Sequence, residues 1–145
     1  MKKYIEKMNK YLANQEVNYI KLHNLHWYVK GKGFFNLHAQ MESLYDATAD
    51  VIDDVAERIL ALGGSPVANL HEALKLASIE EKKSEPIDSK HLVASLLVDV
   101  KYWIKDSKEI SDLADEEGDK VTADLFNGYV KEYQKLKWML DSYLE

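Results

Sequence analysis

The sequence contains no cysteine. Disulfide frameworks and thiolate metal sites are therefore excluded. Proline is nearly as scarce, with two residues, and the six glycines fall mainly at breaks between apolar patterns. So few helix breakers in 145 residues point to an all-α chain. Arginine occurs once, at Arg58, which leaves little for bidentate contacts to bases. No apolar run reaches the ~18 residues of a membrane span. The opening Met-Lys-Lys-Tyr-Ile-Glu leads into no apolar signal core. The expectation is a cytoplasmic protein with no membrane association. What is present is 46% hydrophobic and 30% charged residues, the composition of a globular protein. The length suits one domain, residues 1–145, with a substantial core.

The chain turns on residues 26–57. His26-Trp27 is followed by a Gly31-Lys32-Gly33 break and then by a long helical pattern over residues 35–62. Met41, Leu44, Tyr45, Val51, Ile52, Val55 and Ile59 recur at three- and four-residue steps and form one apolar stripe. On the same wheel His38 borders the stripe, while Glu42, Asp53 and Glu57 lie within roughly 60° of one another, well away from its centre. Two i,i+4 pairs result, His38/Glu42 and Asp53/Glu57, each able to chelate from one side of a helix. Residues 38–57 hold six carboxylates and no Lys or Arg. An acidic stripe opposite a core face is ordinarily a solvated face. The neighbouring histidines and the His26-Trp27 pair weaken that reading and leave a metal site as the alternative.

Helix geometry limits that site. Glu42 and Asp53 are eleven residues apart, or about 16 Å along a helix. Metal–ligand bonds are about 2 Å, so one straight helix cannot bring both pairs to one ion. Either the pairs are unrelated, or a second, antiparallel copy brings its Asp53/Glu57 to His38/Glu42. A two-fold dimer would do this and make two identical sites.

The rest of the chain reads as scaffold. Residues 3 to about 30 form a first helix, with Tyr4, Met8, Tyr11, Leu12, Tyr19, Leu22 and Leu25 or His26 near one face. Lys2, Lys3, Lys7 and Lys10 give it a basic exposed face within a docked helix, not a free tail. The second helix ends at Gly63-Gly64, with Ser65-Pro66 forbidding continuation. A short amphipathic segment over 69–78 is capped by Asn69 and followed by a polar connector. A third helix runs from near Asp88-Ser89 to before Gly118, and a fourth from about Lys120 to Leu144. The predicted fold is a four-helix bundle with a short extra helix in the long connection between helices two and three. That connection is long enough for a crossover topology. Residues 105–124 carry eight acids against three lysines. Alone this is a solvated helix end; in a symmetric shell it would line a pore and attract cations.

His26-Trp27-Tyr28-Val29-Lys30-Gly31, then Phe34-Phe35-Asn36-Leu37-His38, then Asp53-Asp54-Val55-Ala56-Glu57-Arg58 and Leu62-Gly63-Gly64 resemble the Dps family, the miniferritins of the ferritin-like superfamily. The resemblance spans nearly the whole chain, including Asp119 and Asp124 before a last helix with an inward Trp138. It implies a homododecameric shell built from two-fold dimers. The shell oxidises Fe(II), commonly with hydrogen peroxide, with oxygen as the other oxidant, and stores the ferric product. It implies a ferroxidase site with His26, His38 and Glu42 from one subunit and Asp53 and Glu57 from its partner. Many members have Asp where this chain has Glu42. Asp119 and Asp124 become pore residues, although Glu116 and Glu117 could do the same work. Trp27 is either a packing residue or a sacrificial electron donor. His23, His71 and His91 lack carboxylates at ligand spacing and read as ordinary surface or interface histidines.

Carboxylates stabilise Fe(III), and imidazole suits Fe(II) or Zn(II). No Glu lies three residues before any His, so the Glu-x-x-His pattern of intra-bundle di-iron sites is absent. DNA binding is disfavoured by the net charge of −6, which a shell multiplies. Its remaining route is the N-terminal lysine cluster. The rival readings are a DNA-compacting structural protein with a vestigial metal site, and a module that holds Zn(II) or Fe(II) without turnover.

Overall fold

A computed structural model describes residues 3–145. In chain order the elements are α1 (Lys3–Tyr28), β1 (Val29–Lys30), α2 (Phe34–Ala61), α3 (Leu70–Leu76), β2 (Ile87–Asp88), α4 (Ser89–Glu116) and α5 (Lys120–Leu144). They sort into two compact units, one ending at Ser89 and the other spanning Lys90–Glu145. Among the described residues no helix is long and apolar enough to cross a membrane. Four long helices and one short one stand as the sequence predicts.

In the first unit α1 and α2 pack antiparallel. His26 meets His38 near the turn, Tyr19 meets Tyr45 further along, and Gly64 lies against Ile5 at the far end. The turn needs Gly31 and Gly33 in the left-handed region (φ 89° and 82°), where a Cβ is strained. The first helix stops at Tyr28, two residues short of expectation. Val29 and Lys30 instead pair in parallel with Ile87 and Asp88. This pairing comes from the far end of the connection, so no local pattern announces it.

The core side of α2 is Leu37, Met41, Thr48, Val55 and Ile59; of the predicted apolar stripe Met41, Val55 and Ile59 are buried, while Leu44, Tyr45, Val51 and Ile52 lie at its half-buried border. The helix closes as the glycines predict. Gly63 N–H donates to the Leu60 carbonyl and Gly64 N–H to the Ile59 carbonyl, both at 2.9 Å, the paired bonds of a Schellman motif. A Cβ on Gly64 would sit 3.0 Å from side-chain carbons of both Ile5 and Ile59, so the residue is also a close-approach point between helices.

Three asparagines on α1 stitch the connection in place. Asn9 accepts from Val67 N–H (2.8 Å) and donates to the Ser65 carbonyl (3.0 Å). Asn14 accepts from the backbone N–H groups of Ser78 (2.7 Å) and Ile79 (3.0 Å). Asn24 donates to the carbonyls of Lys82 (3.0 Å) and Lys83 (3.2 Å). Each amide satisfies backbone groups that no helix or sheet serves. Within the connection, Asn69 caps α3 by accepting from Glu72 N–H at 2.9 Å.

The second unit repeats the helix-stop chemistry. Gly118 N–H donates to the Asp115 carbonyl and Asp119 N–H to the Ala114 carbonyl. Trp103 of α4 stacks on Tyr133 of α5, and the Ser111 hydroxyl reaches Asn127 at 2.8 Å. Trp138 corrects an expectation: it is 65% exposed, not inward. Leu140 is buried on that helix, and two residues of helix rotate a side chain by roughly 200°.

Asn14→Ala leaves two backbone donors of the connection unpaired. A loss of about 1–3 kcal/mol is expected in chemical denaturation, with Asn14→Asp, which keeps the accepting oxygen, losing less.

Candidate metal centre

His26 lies in the last turn of α1 and is 6% exposed. His38 lies near the start of α2 and is half-buried. The glycine turn brings them face to face, with ring centroids 3.7 Å apart and planes at 13°. Each ring is also bonded to the other residue's backbone. His26 Nδ1 donates to the His38 carbonyl at 2.6 Å, and His38 Nδ1 donates to the His26 carbonyl at 2.7 Å. A carbonyl only accepts, so both Nδ1 atoms carry protons. In the neutral rings this leaves the Nε2 lone pairs of both free to bind a metal. His26 Nε2 lies 3.8 Å from Glu42 Oε1, and the Glu42 side chain is 57% exposed. Of the three residues predicted for one half of a site, His26 thus meets both His38 and Glu42, as two pairs.

Asp53 and Glu57 stand apart from them, exposed on the same continuous helix. Their separation from Glu42 is about 16 Å of helix rise. Among the described residues no group of three or more metal-ligating side chains assembles within one chain. Asp53 and Glu57 do interact with each other. The Asp53 charge pushes the Glu57 carboxyl above its ordinary value, and a hydrogen bond between the two adds to the shift. Two carboxylates one helical turn apart with no cation between them make ionising the second one harder.

An aromatic cluster backs the histidine pair. Phe34 stacks on His38 at 5.1 Å. Tyr45 meets His26 edge-on at 5.4 Å and stacks on His23 at 3.7 Å. Burial, then the Glu42 charge, holds the Tyr45 phenol above its ordinary value, and its side chain is hydrogen-bonded to Glu42. His23, which the sequence marks as ordinary, is thus part of the surroundings of the site. The helical spacing His23/Trp27 and Tyr19/His23 was the available signal. Trp27 contacts His23 at 5.3 Å and is 66% exposed, so the core of its own chain does not enclose it.

Asp119 and Asp124 have different surroundings. Asp119 is the N-cap of α5, accepting from Thr122 N–H at 3.0 Å and from the Thr122 hydroxyl at 2.6 Å. Asp124 lines an open cavity of about 240 Å³ with Asp112, Asp115, Lys120 and Asn127. Lys3, Lys7 and Lys10 lie exposed on α1, while Tyr4, Ile5, Met8 and Tyr11 are buried. They belong to a folded helix; Lys2 lies outside the described residues.

The Ferritin-like domain family matches residues 5–145. The chain is 45% identical over 140 residues to General stress protein 20U of Bacillus subtilis, covering 97% of this chain and 96% of the relative. It is 42% identical over 132 residues to the DNA protection during starvation protein of Helicobacter pylori, covering 91% and 92%. The crystal structure of the Dps protein of Vibrio cholerae, described as a member of a broad superfamily of ferritin-like diiron-carboxylate proteins, superposes with a TM-score of 0.94. That match is 36% identical and covers 99% of this chain and 89% of the other. The fold is the ferritin-like four-helix bundle with the short helix in its long connection.

The Asp53–Glu57 pair carries a pH signature. A divalent cation needs both carboxylates ionised, so its binding strengthens as pH rises through the raised Glu57 value. Carboxyl NMR titration of metal-free protein should find Glu57 above the ordinary range. In Asp53→Asn the charge that raises it is gone and its midpoint should fall.

Proposed function

The chain belongs to the Dps family of ferritin-like proteins, and from that premise we propose that it is a ferroxidase and iron-storing shell protein. Fe(II) is its substrate, with hydrogen peroxide as the oxidant and oxygen as the alternative. The ferric product is stored as mineral, which removes two reagents of hydroxyl-radical chemistry together. We read residues 1–145 as one ferritin-like domain acting in the cytoplasm as a dodecamer of two-fold dimers.

The observation that carries this reading is the split site. On one side His26 pairs with His38 and lies 3.8 Å from Glu42, with the Nδ1 atoms of both histidines tied to backbone carbonyls and their Nε2 atoms left for a metal. Asp53 and Glu57 sit too far along α2 to join them within the chain. An antiparallel second copy supplies the missing pair to each half. The donor set fits the substrate. Imidazole nitrogens accept Fe(II), and carboxylates favour the harder Fe(III), so the ligands draw the oxidation forward. The reciprocal histidine bonds hold the ligand rings in place before iron arrives, which lowers the cost of ordering them on binding. The same ligands accept Zn(II) in place of iron. Asp124 and its acidic neighbours would serve as an entry region for cations, while Asp119 acts first as a helix cap. DNA binding through the exposed Lys3, Lys7 and Lys10 is the lesser reading, because the chain carries net charge −6.

Stopped-flow Fe(II) oxidation by peroxide, on protein sized by light scattering, tests the reading. Fast oxidation by a shell-sized particle is expected, with the rate abolished in His38→Ala and in Asp53→Ala while the shell persists. Assembling these two variants together should restore a fraction of sites, since each supplies the half the other lacks. Unchanged rates in either variant sink the site assignment. A shell no faster than the protein-free control moves the function to metal holding or DNA compaction.

A further inference from the structure

We propose that the cavity between α1 and α3 binds a short aliphatic diamine, with one ammonium group at each end of the cavity. The site is separate from the histidine pair and goes beyond the iron reading without depending on it.

The cavity measures about 220 Å³ and is walled by Val17 and Ile20 of α1 and by Ala73 and Leu74 of α3. Two polar residues of α1, Glu16 and Asn24, share its lining. Glu16 Oε2 and Asn24 Oδ1 are both shielded from solvent, and neither accepts a hydrogen bond. Buried acceptors without a donor are rare in folded proteins and ask for one. Asn24, 9% exposed, cannot meet the need by turning its amide over. Its Nδ2 donates to the carbonyls of Lys82 and Lys83, so a reversed amide would set oxygen against oxygen. The Asn24 oxygen is thus held in place by the stitch that its nitrogen makes.

The lysines at hand do not supply the donor. Lys21 and Lys82 also line the cavity, yet neither ammonium reaches either atom. That of Lys82 is committed to the carbonyls of Lys83 at 3.1 Å and Glu85 at 2.8 Å. Burial accordingly raises the Glu16 carboxyl above its ordinary value.

Spacing and charge select the ligand. Glu16 and Asn24 are eight residues apart, or about 12 Å of helix rise. Val17 and Ile20 fall between them. Two acceptors so placed suit a molecule with a donor at each end and apolar carbons in the middle. Glu81, exposed on the cavity lining, adds a carboxylate beside Lys82, whose backbone Asn24 holds. Each end then offers one carboxylate to one ammonium, a charge-assisted contact. Anions are disfavoured by the same two acids. The methylene groups would lie against Val17, Ile20 and Leu74 and leave water. A cavity of about 150 Å³ holds a benzene molecule, so this one admits a chain of a few carbons. The net charge of −6 concentrates small dications near the surface.

Isothermal titration calorimetry of the assembled protein with putrescine tests the proposal, in buffer containing magnesium to occupy diffuse acidic sites. One putrescine per chain is expected. Butylamine and 1,4-butanediol keep the carbons but lose one or both charges, and each should bind roughly tenfold more weakly or worse. Glu16→Gln keeps the side-chain shape and should weaken putrescine by roughly tenfold. Glu81→Gln, at an exposed position that the fold does not need, should weaken it by a smaller factor. Asp53→Asn should leave putrescine binding unchanged, which separates this site from the candidate metal centre. Equal affinity in wild type and Glu16→Gln, or a loss in Asp53→Asn, assigns the binding to general acidity and overturns the proposal. Equal affinity for butylamine and putrescine overturns the two-ended ligand. No binding to wild type also overturns the proposal and leaves the two acceptors to water or to a second copy of the chain.

Discussion

A metal-binding imidazole usually has its second nitrogen held by a carboxylate or a carbonyl elsewhere in the protein. In this chain each of two histidines holds the other. The His26 ring bonds to the His38 backbone and the His38 ring to the His26 backbone. The orientation of both rings therefore depends on one relation, that of the end of α1 to the start of α2. The left-handed Gly31 and Gly33 make that relation possible. At the opposite end, the approach of Ile5 and Ile59 to Gly64 keeps the two helices in the same register. A side chain at Gly64 would press on two helices and act through them on rings far along the pair.

The second constraint is the helix rise. A straight α2 separates Glu42 from Asp53 by more than any metal bridges. The acidic groups along it have no Lys or Arg between residues 38 and 57 to balance them. The raised Glu57 carboxyl is the local sign of that imbalance. A bound cation would relieve it. The charge pattern that disfavours a nucleic-acid surface is thus the one that favours a cation site.

Much of the fold is legible in the sequence. Gly63-Gly64 and Gly118 end helices with the expected hydrogen bonds, Asn69 caps the short helix, and the apolar period of α2 gives Met41, Val55 and Ile59 of its buried side. Those features are local, and local chemistry is what a sequence displays. The histidine clasp was not legible, because it links side chains to carbonyls twelve residues away through a turn whose exact path decides the bond. Val29–Lys30 paired with a segment nearly sixty residues on, and no periodicity records that. The inward Trp138 that the resemblance implies is instead exposed on its own chain, because its angular position on α5 lies away from buried Leu140. For the candidate site, spacing displayed the two half-sites and their incompatibility on one helix. It did not display the aromatic rings behind them, since His23 and Tyr45 lie on different helices.

Asn9, Asn14 and Asn24 hold the connection through its backbone, at Ser65 and Val67, at Ser78 and Ile79, and at Lys82 and Lys83. They recognise amide groups, not side chains. What α1 measures is therefore the count of residues between stitches. Substitutions along the connection that leave the backbone path intact keep every stitch. A one-residue insertion between Val67 and Ser78 would have to be absorbed between fixed points or unhook one of them. Sequence drift in this segment is expected to run freely in composition and hardly at all in length.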